Sequence, residues 1–236
     1  MIVLGIEAAT PVASVAVVSE DKILAERTVN NRRTHSVNLL PMIRDTLADA
    51  GINKEQVTGI AVSSGPGSFT GLRIGVSTAR SLAHVLSLPL ASVPTLDALA
   101  YLLRGQAGLI CPLLNARRNE VYTALYNSTG TGNACLVPAR AVGIEELIKL
   151  LASYTEQVTF IGDGLPEYRS MLKSRLGARA GLAPVCASFP RGAAVAELGL
   201  QMLQTGAVSD PFTLLPNYLR ESEAELKWRE RCRVNE

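Results

Sequence analysis

The apolar segments of this chain run through one order and then begin it again, and that repetition constrains the fold more than any single motif. Residues 2–6, 13–18 and 23–29 are three short apolar runs separated by turn-like stretches. Such close spacing predicts an antiparallel meander, because parallel strands need longer crossovers. Leu39, Leu40, Met42, Ile43 and Leu47 then fall at helical spacing, which predicts a helix over 36–50 closed by Gly51. Pro41 lies inside this pattern and predicts either a late start or a kink. A strand at 59–64, a helix at 71–86, a strand at 90–93 and a helix at 95–103, capped by Thr95, complete the first unit. From Leu109 the order restarts, with strands at 109–114, 121–126 and 158–162. Helices are expected at 145–152, 166–176 and 192–205, the last ended by Gly206. Two such units predict two similar α/β lobes with mixed sheets.

Composition narrows the class. The chain has 236 residues, 47% hydrophobic and 19% charged, which is globular and excludes disorder. A net charge of +2 with 5% aromatics is not the footprint of an autonomous nucleic-acid binder. Arg169, Lys173, Arg175, Arg179 and Arg191 make one basic stretch, which reads as a solvated face or as a contact for an acidic partner. The stretch from Arg220 to Glu236 is balanced in charge. Cys111, Cys135, Cys186 and Cys232 include no Cys-x-x-Cys pair and read as free thiols in a reducing compartment. The first ten residues lack the basic start and long apolar core of a secretory signal, and no apolar run reaches a membrane span. A soluble, cytoplasmic protein is expected.

The segment 65–71, with Gly65, Gly67 and Gly71, joins a buried strand to a helix. It is neither a P-loop nor a Gly-x-Gly-x-x-Gly fingerprint. Its glycines could serve a tight turn, or free amides at the helix start could hold an anion. Gly71, Gly75, Ala79 and Ala83 form a small-residue stripe along the next helix. The stripe suits close packing on the chain's own sheet, or on a helix of another subunit. His35 and His84 have no ligand spacing, and His35 reads as a cap or surface residue. No His/Cys cluster or Gly-x-Ser-x-Gly elbow occurs, so no metal site and no catalytic residue is assigned. Glu7, at the end of the first strand, is the best-placed acid, and Asp97 and Asp163 read as caps.

Four segments together resemble the TsaB (YeaZ) family, the dimerisation subunit of the bacterial machinery that makes threonylcarbamoyladenosine in tRNA. They are Leu4-Gly5-Ile6-Glu7-Ala8-Ala9-Thr10, Ser63-Ser64-Gly65-Pro66-Gly67-Ser68-Phe69-Thr70-Gly71-Leu72-Arg73-Ile74-Gly75, Asn115-Ala116-Arg117-Arg118-Asn119-Glu120-Val121-Tyr122 and Tyr218-Leu219-Arg220. The resemblance implies an actin-like ATPase-domain fold, that of sugar kinases, Hsp70 and actin, with two lobes of mixed β-sheet flanked by helices. It implies lobes at 1–104 and 105–236, with the last helix packing back on the first lobe. It also implies a non-catalytic relative of the transferase TsaD. The histidine positions of TsaD's metal motif fall on Thr95 and Leu99 here, which are poor ligands. The Asp-Thr pair usual after strand one is Glu7-Ala8.

The family's interface helices map to 36–50 and 71–86, which implies partner contact at Leu39, Leu40, Ile43, Gly71, Gly75 and Ala79. Glu7, Thr10, Gly65, Gly67 and Ser68 are left as a vestigial phosphate or nucleotide loop. The expected partners are TsaD, the ATPase TsaE in a ternary complex, a second copy in isolation, and tRNA indirectly, with no cofactor and no membrane. The rival is a small actin-like ATPase or kinase using Glu7 and the glycine turn on its own. A glycoprotease-like hydrolase is weaker still, for want of a nucleophile–base pair.

Overall fold

The computed structural model describes residues 1–31, 35–129 and 132–220. Strands β1 (Ile2–Glu7), β2 (Ala13–Ser19) and β3 (Ile23–Val29) form the antiparallel meander. β4 (Gly59–Gly65) and β5 (Leu90–Pro94) join in parallel on the far side of β1, giving the order β3-β2-β1-β4-β5. The second sheet contains β6 (Leu109–Asn115), β7 (Glu120–Thr129), β8 (Gly132–Gly143), β9 (Val158–Ile161) and β10 (Ala180–Leu182). Its order, β10-β9-β6-β7-β8, repeats the first with the same strand directions.

Two strands escape a reading by periodicity. β8 carries Pro138 and mixed polarity, which an edge position tolerates, and its pairing with β7 is broken by two register shifts. β10 has three residues, too few to show a period.

Helices α1 (His35–Asp49) and α2 (Phe69–Leu86) cover one face of the first sheet. Leu39, Met42, Ile43, Val76 and Ala79 pack there against Leu4, Ile6, Val15, Ile60 and Val62. Pro41 sits inside α1 on its exposed side, so the helix starts ahead of the proline. α3 (Thr95–Tyr101) lies between the two sheets. Its Leu96, Leu99 and Ala100 pack on Ile110, Leu114 and Ile161 of the second sheet. Thr95 is not its cap. Pro94 takes that place in extended conformation, and the Thr95 hydroxyl accepts the Gly65 amide at 3.1 Å. α4 (Ile144–Leu151) and α5 (Leu165–Leu176) cover the other face of the second sheet.

α6 (Gly192–Gln204) returns to the first sheet, on the face opposite α1 and α2. Its start is anchored by side chains of β2 and β3. The Gly192 amide donates to the Ser14 hydroxyl at 2.9 Å and the Ala193 amide to Glu26 at 3.1 Å, and Arg191 pairs with Glu26. Glu26→Ala is expected to cost about 1–2 kcal/mol, as loss of a helix-start acceptor does, read as a lowered urea midpoint. The basic stretch is largely used inside the fold. Arg179 donates to the carbonyls of Leu151, Tyr154 and Glu156, Lys173 to that of Ala180, and Arg175 pairs with Glu145.

After α6, residues 208–220 run back along α2. The Arg80 guanidinium holds the carbonyls of Pro211 at 2.5 Å and Phe212 at 2.6 Å, and Phe212 meets the His84 ring edge-on. Cys232 and the charge-balanced tail beyond Arg220 lie outside the described residues. No helix among the described residues is long and apolar enough to cross a membrane.

Candidate functional site

The carboxyl ends of β1, β4, β6 and β9 converge on a cleft of about 610 Å³ between the lobes. This is where open α/β sheets place ligands, because loops from adjacent parallel strands diverge there. Thr10 and Ser68 line one side, Asn115 and Asp163 the other.

Glu7 lies under this cleft and is fully buried. Its Oε1 accepts the Ala9 amide at 2.6 Å, while Oε2 has no hydrogen-bond partner among the described residues. Burial pushes its carboxyl up to about 7, against the pull of the Ala9 amide and the Ser63 hydroxyl, and the negative Asp163 adds to the rise. Asp163 itself is raised by burial, partly offset by the amides of Asn115, Asp163 and Gly164.

The glycine turn is filled by the chain itself. A Cβ at Gly67 would collide with the Ala9 carbonyl, one at Gly71 with the Ala8 carbonyl, and one at Gly65 with Asn217 of the returning segment. The Ser68 amide donates to the Ala9 carbonyl at 2.6 Å and the Gly71 amide to the Ser68 hydroxyl at 3.3 Å. With the Gly65 amide on Thr95, three amides of the turn are taken up within the chain. Thr10 is buried, and its hydroxyl bonds to Val12.

The residues expected at a partner surface divide. Leu39, Ile43, Gly71, Gly75 and Ala79 are buried within the chain's own core and are not available to a partner. The small-residue stripe faces the first sheet, where Gly75 lies close to Ala8 and Val62. Leu40 alone of the six points outward, 58% exposed, beside Val37 at 63%. Val85 on α2 is exposed as well.

Other groups gather at the cleft mouth. Between β6 and β7, Arg117, Arg118 and Asn119 adopt φ of 63°, 53° and 62°, three left-handed residues in succession without a glycine. Each such residue costs about 1–2 kcal/mol. The turn is held by the Arg117 amide donating to Asn115 Oδ1 at 2.7 Å and the Glu120 amide to the Arg117 carbonyl at 3.0 Å. Across the cleft, Phe69 and Tyr218 stack with ring centroids 4.6 Å apart, and the Arg73 guanidinium lies 4.0 Å from the Phe69 ring centre. Arg220 joins the two groups, pairing with Glu120 at 2.5 Å and donating to the Ala116 carbonyl at 3.2 Å. These residues were legible only as parts of motifs, since their roles depend on segments distant in sequence.

His35 opens α1, and its Nε2 donates to the Thr10 carbonyl at 2.8 Å. Asp97 accepts the Tyr126 hydroxyl at 2.5 Å, a bond between α3 and the second sheet. Burial raises the Asp97 carboxyl. Thr95 and Leu99 are fully buried. Among the described residues, no three His, Cys, Asp or Glu side chains cluster as metal ligands.

Comparison with known proteins gives a consistent set. The family model described as TsaD, tRNA N6-adenosine threonylcarbamoyltransferase, matches residues 22–228. The tRNA threonylcarbamoyladenosine biosynthesis protein TsaB of Bacillus subtilis (strain 168) is 33% identical over 228 residues, 97% of this chain and 98% of that protein. A crystal structure from Pseudomonas aeruginosa, of an uncharacterized protein with similarity to peptidase YeaZ, superposes with a TM-score of 0.80. Its identity is 27%, over 93% of this chain and 99% of that one. A third likeness is of fold alone. The activator of 2-hydroxyisocaproyl-CoA dehydratase from Clostridium difficile gives a TM-score of 0.53 at 8% identity, over 88% of this chain and 97% of that one. The architecture is the actin-like ATPase-domain fold.

Proposed function

Because the chain belongs to the TsaB family of tRNA threonylcarbamoyladenosine biosynthesis proteins, we propose that it serves as a non-catalytic scaffold that pairs with the transferase TsaD and activates it. One observation carries this reading. The positions where the resemblance puts TsaD's metal-binding histidines hold Thr95 and Leu99, and both are committed to the chain's own packing. The glycine turn supports it, since the amides of Gly65, Ser68 and Gly71 are spent within the chain. In this reading TsaE and tRNA engage the assembled pair.

The partner face is the outer surface of α1 and α2, where Val37, Leu40 and Val85 project. Exposed apolar side chains on one helical layer suit a helix–helix interface. Leu40→Asp is expected to leave the circular dichroism and melting temperature of the isolated chain close to those of the parent. It should weaken its complex with TsaD at least tenfold, since the centre of a packed interface carries most of its energy. Unchanged affinity would remove this face from the interface. Gly75→Arg is a poorer test, because Gly75 is buried against Ala8 and the fold would yield first.

A second reading, an ATPase acting alone, draws on the cleft at the strand ends with Glu7 beneath it. It requires magnesium–ATP binding by the isolated chain, which calorimetry decides.

A further inference from the structure

We propose that the mouth of the interlobe cleft receives an unpaired segment of RNA, with a base on the Phe69–Tyr218 stack and phosphates at Arg117 and Arg118. The inference rests on the family reading above and adds to it a direct contact between this chain and RNA.

The strained turn is the first reason. A two-strand connection that only had to reverse direction would use Gly or Asn at its left-handed positions. Here two of the three positions are arginines, and both are exposed at the cleft mouth. Strain of this kind persists where the side chains it presents have a use. Arginine's planar fork matches phosphate oxygens, and its charge is not lost at any physiological pH.

The opposite wall is the second reason. Tyr218 is 37% exposed and lies over Phe69, while Arg73 packs on Phe69 and donates to the Tyr218 hydroxyl at 3.3 Å. The rings are therefore fixed before any ligand arrives. A fixed aromatic surface beside arginines is how proteins take hold of unstacked bases in single-stranded RNA. Tyr122 adds a third aromatic ring to the lining. Arg220 ties the segment bearing Tyr218 to the turn bearing Arg117 and Arg118, so the spacing of platform and cations is set.

The floor of the cleft favours RNA over a free nucleoside triphosphate. The amides of Gly65, Ser68 and Gly71 are used within the chain, and Asp163 puts a carboxyl on the inner wall. Polyphosphate would meet that acid at depth, whereas a strand crossing the mouth keeps its phosphates on the arginines. The remaining acids nearby are engaged, Glu120 with Arg220 and Glu167 with Asn115.

The test is fluorescence anisotropy of the full chain with a labelled RNA stem–loop, and with the same RNA closed into a duplex, at low salt. The stem–loop should bind and the duplex should bind at least tenfold more weakly. Arg117→Ala with Arg118→Ala, and separately Tyr218→Leu, should each weaken stem–loop binding about tenfold, while Tyr218→Phe retains it. Complex formation with TsaD, measured on the same variants, should not change, which separates this result from a failure of the scaffold reading. No RNA binding, binding indifferent to both variants, or occupation of the cleft by ATP in place of RNA would each overturn the proposal.

Discussion

At pH 8, Glu7→Gln is expected to be more stable than the parent chain by about 3 kcal/mol, and at pH 4.5 the two should differ little. The buried carboxyl titrates near 7 in the folded chain, against 4.5 when exposed. Its folded value is raised, so the native state holds the proton more tightly than the unfolded state does. Stability from that proton is fully present below about pH 4.5 and is lost as pH rises through 7. Each pKa unit is worth about 1.4 kcal/mol, which sets the size of the loss. Glutamine keeps the oxygen that accepts the Ala9 amide and carries no charge to desolvate. Asp163 is also raised by burial, and its contribution runs in the same direction in both proteins. Urea unfolding across this pH range checks the result. A constant difference between the two proteins would mean that Glu7 is not the titrating group.

Gly5→Ala is expected to cost about 3 kcal/mol or more, a fall in Tm of about 10 °C for a chain of this size. The added methyl would meet the Gly192 carbonyl and the backbone and Cβ of Ala196, so α6 must lift from β1. Gly199 against Ala61 and Gly192 against the Ala16 amide repeat the same close approach along the helix. None of these contacts can relax by a rotamer change, because the atoms met are backbone atoms or alanine Cβ atoms, which no side-chain rotation moves. Gly51 is the contrasting position. Its φ is +66° with nothing within 4 Å of a Cβ, so Gly51→Ala meets only backbone strain of about 1–2 kcal/mol. Thermal melts of the two variants side by side measure the difference. Equal losses would show that α6 does not sit on the sheet as closely as this packing requires.

Much of the fold was legible in the sequence. The meander, the parallel strands other than β10 and the six helices of the described residues follow from apolar period and turn residues, and the restart at Leu109 marks the second lobe. β8 was not legible, because an edge strand with Pro138 and register shifts carries no clean alternation. The cap of α3 is not fixed by the sequence, because Pro94 and Thr95 both suit a helix start, and the Thr95 hydroxyl accepts the Gly65 amide instead.

The candidate site was legible in pieces. Glu7 and the turn through Gly65, Gly67 and Gly71 stand out in the sequence, but nothing local says that Ala8, Ala9 and Asn217 fill that turn. Phe69, Arg117 and Tyr218 belong to segments far apart, and only the packing of the two lobes with the returning segment sets them around one cleft.

The sequence by itself determined the elements and the repeat, because hydrophobic period is a local property of each segment. It also determined that one face of the second helix is made of small residues. Only the tertiary structure decided what that face meets. Gly71, Gly75 and Ala79 would suit a sheet of the same chain or a helix of another equally well, since a flat stripe permits close approach without naming the partner. The first sheet, already apolar and connected through short loops, takes the stripe at little entropic cost. Leu40 and Val37 are left outside on the neighbouring helix, and they carry the proposed contact with another chain.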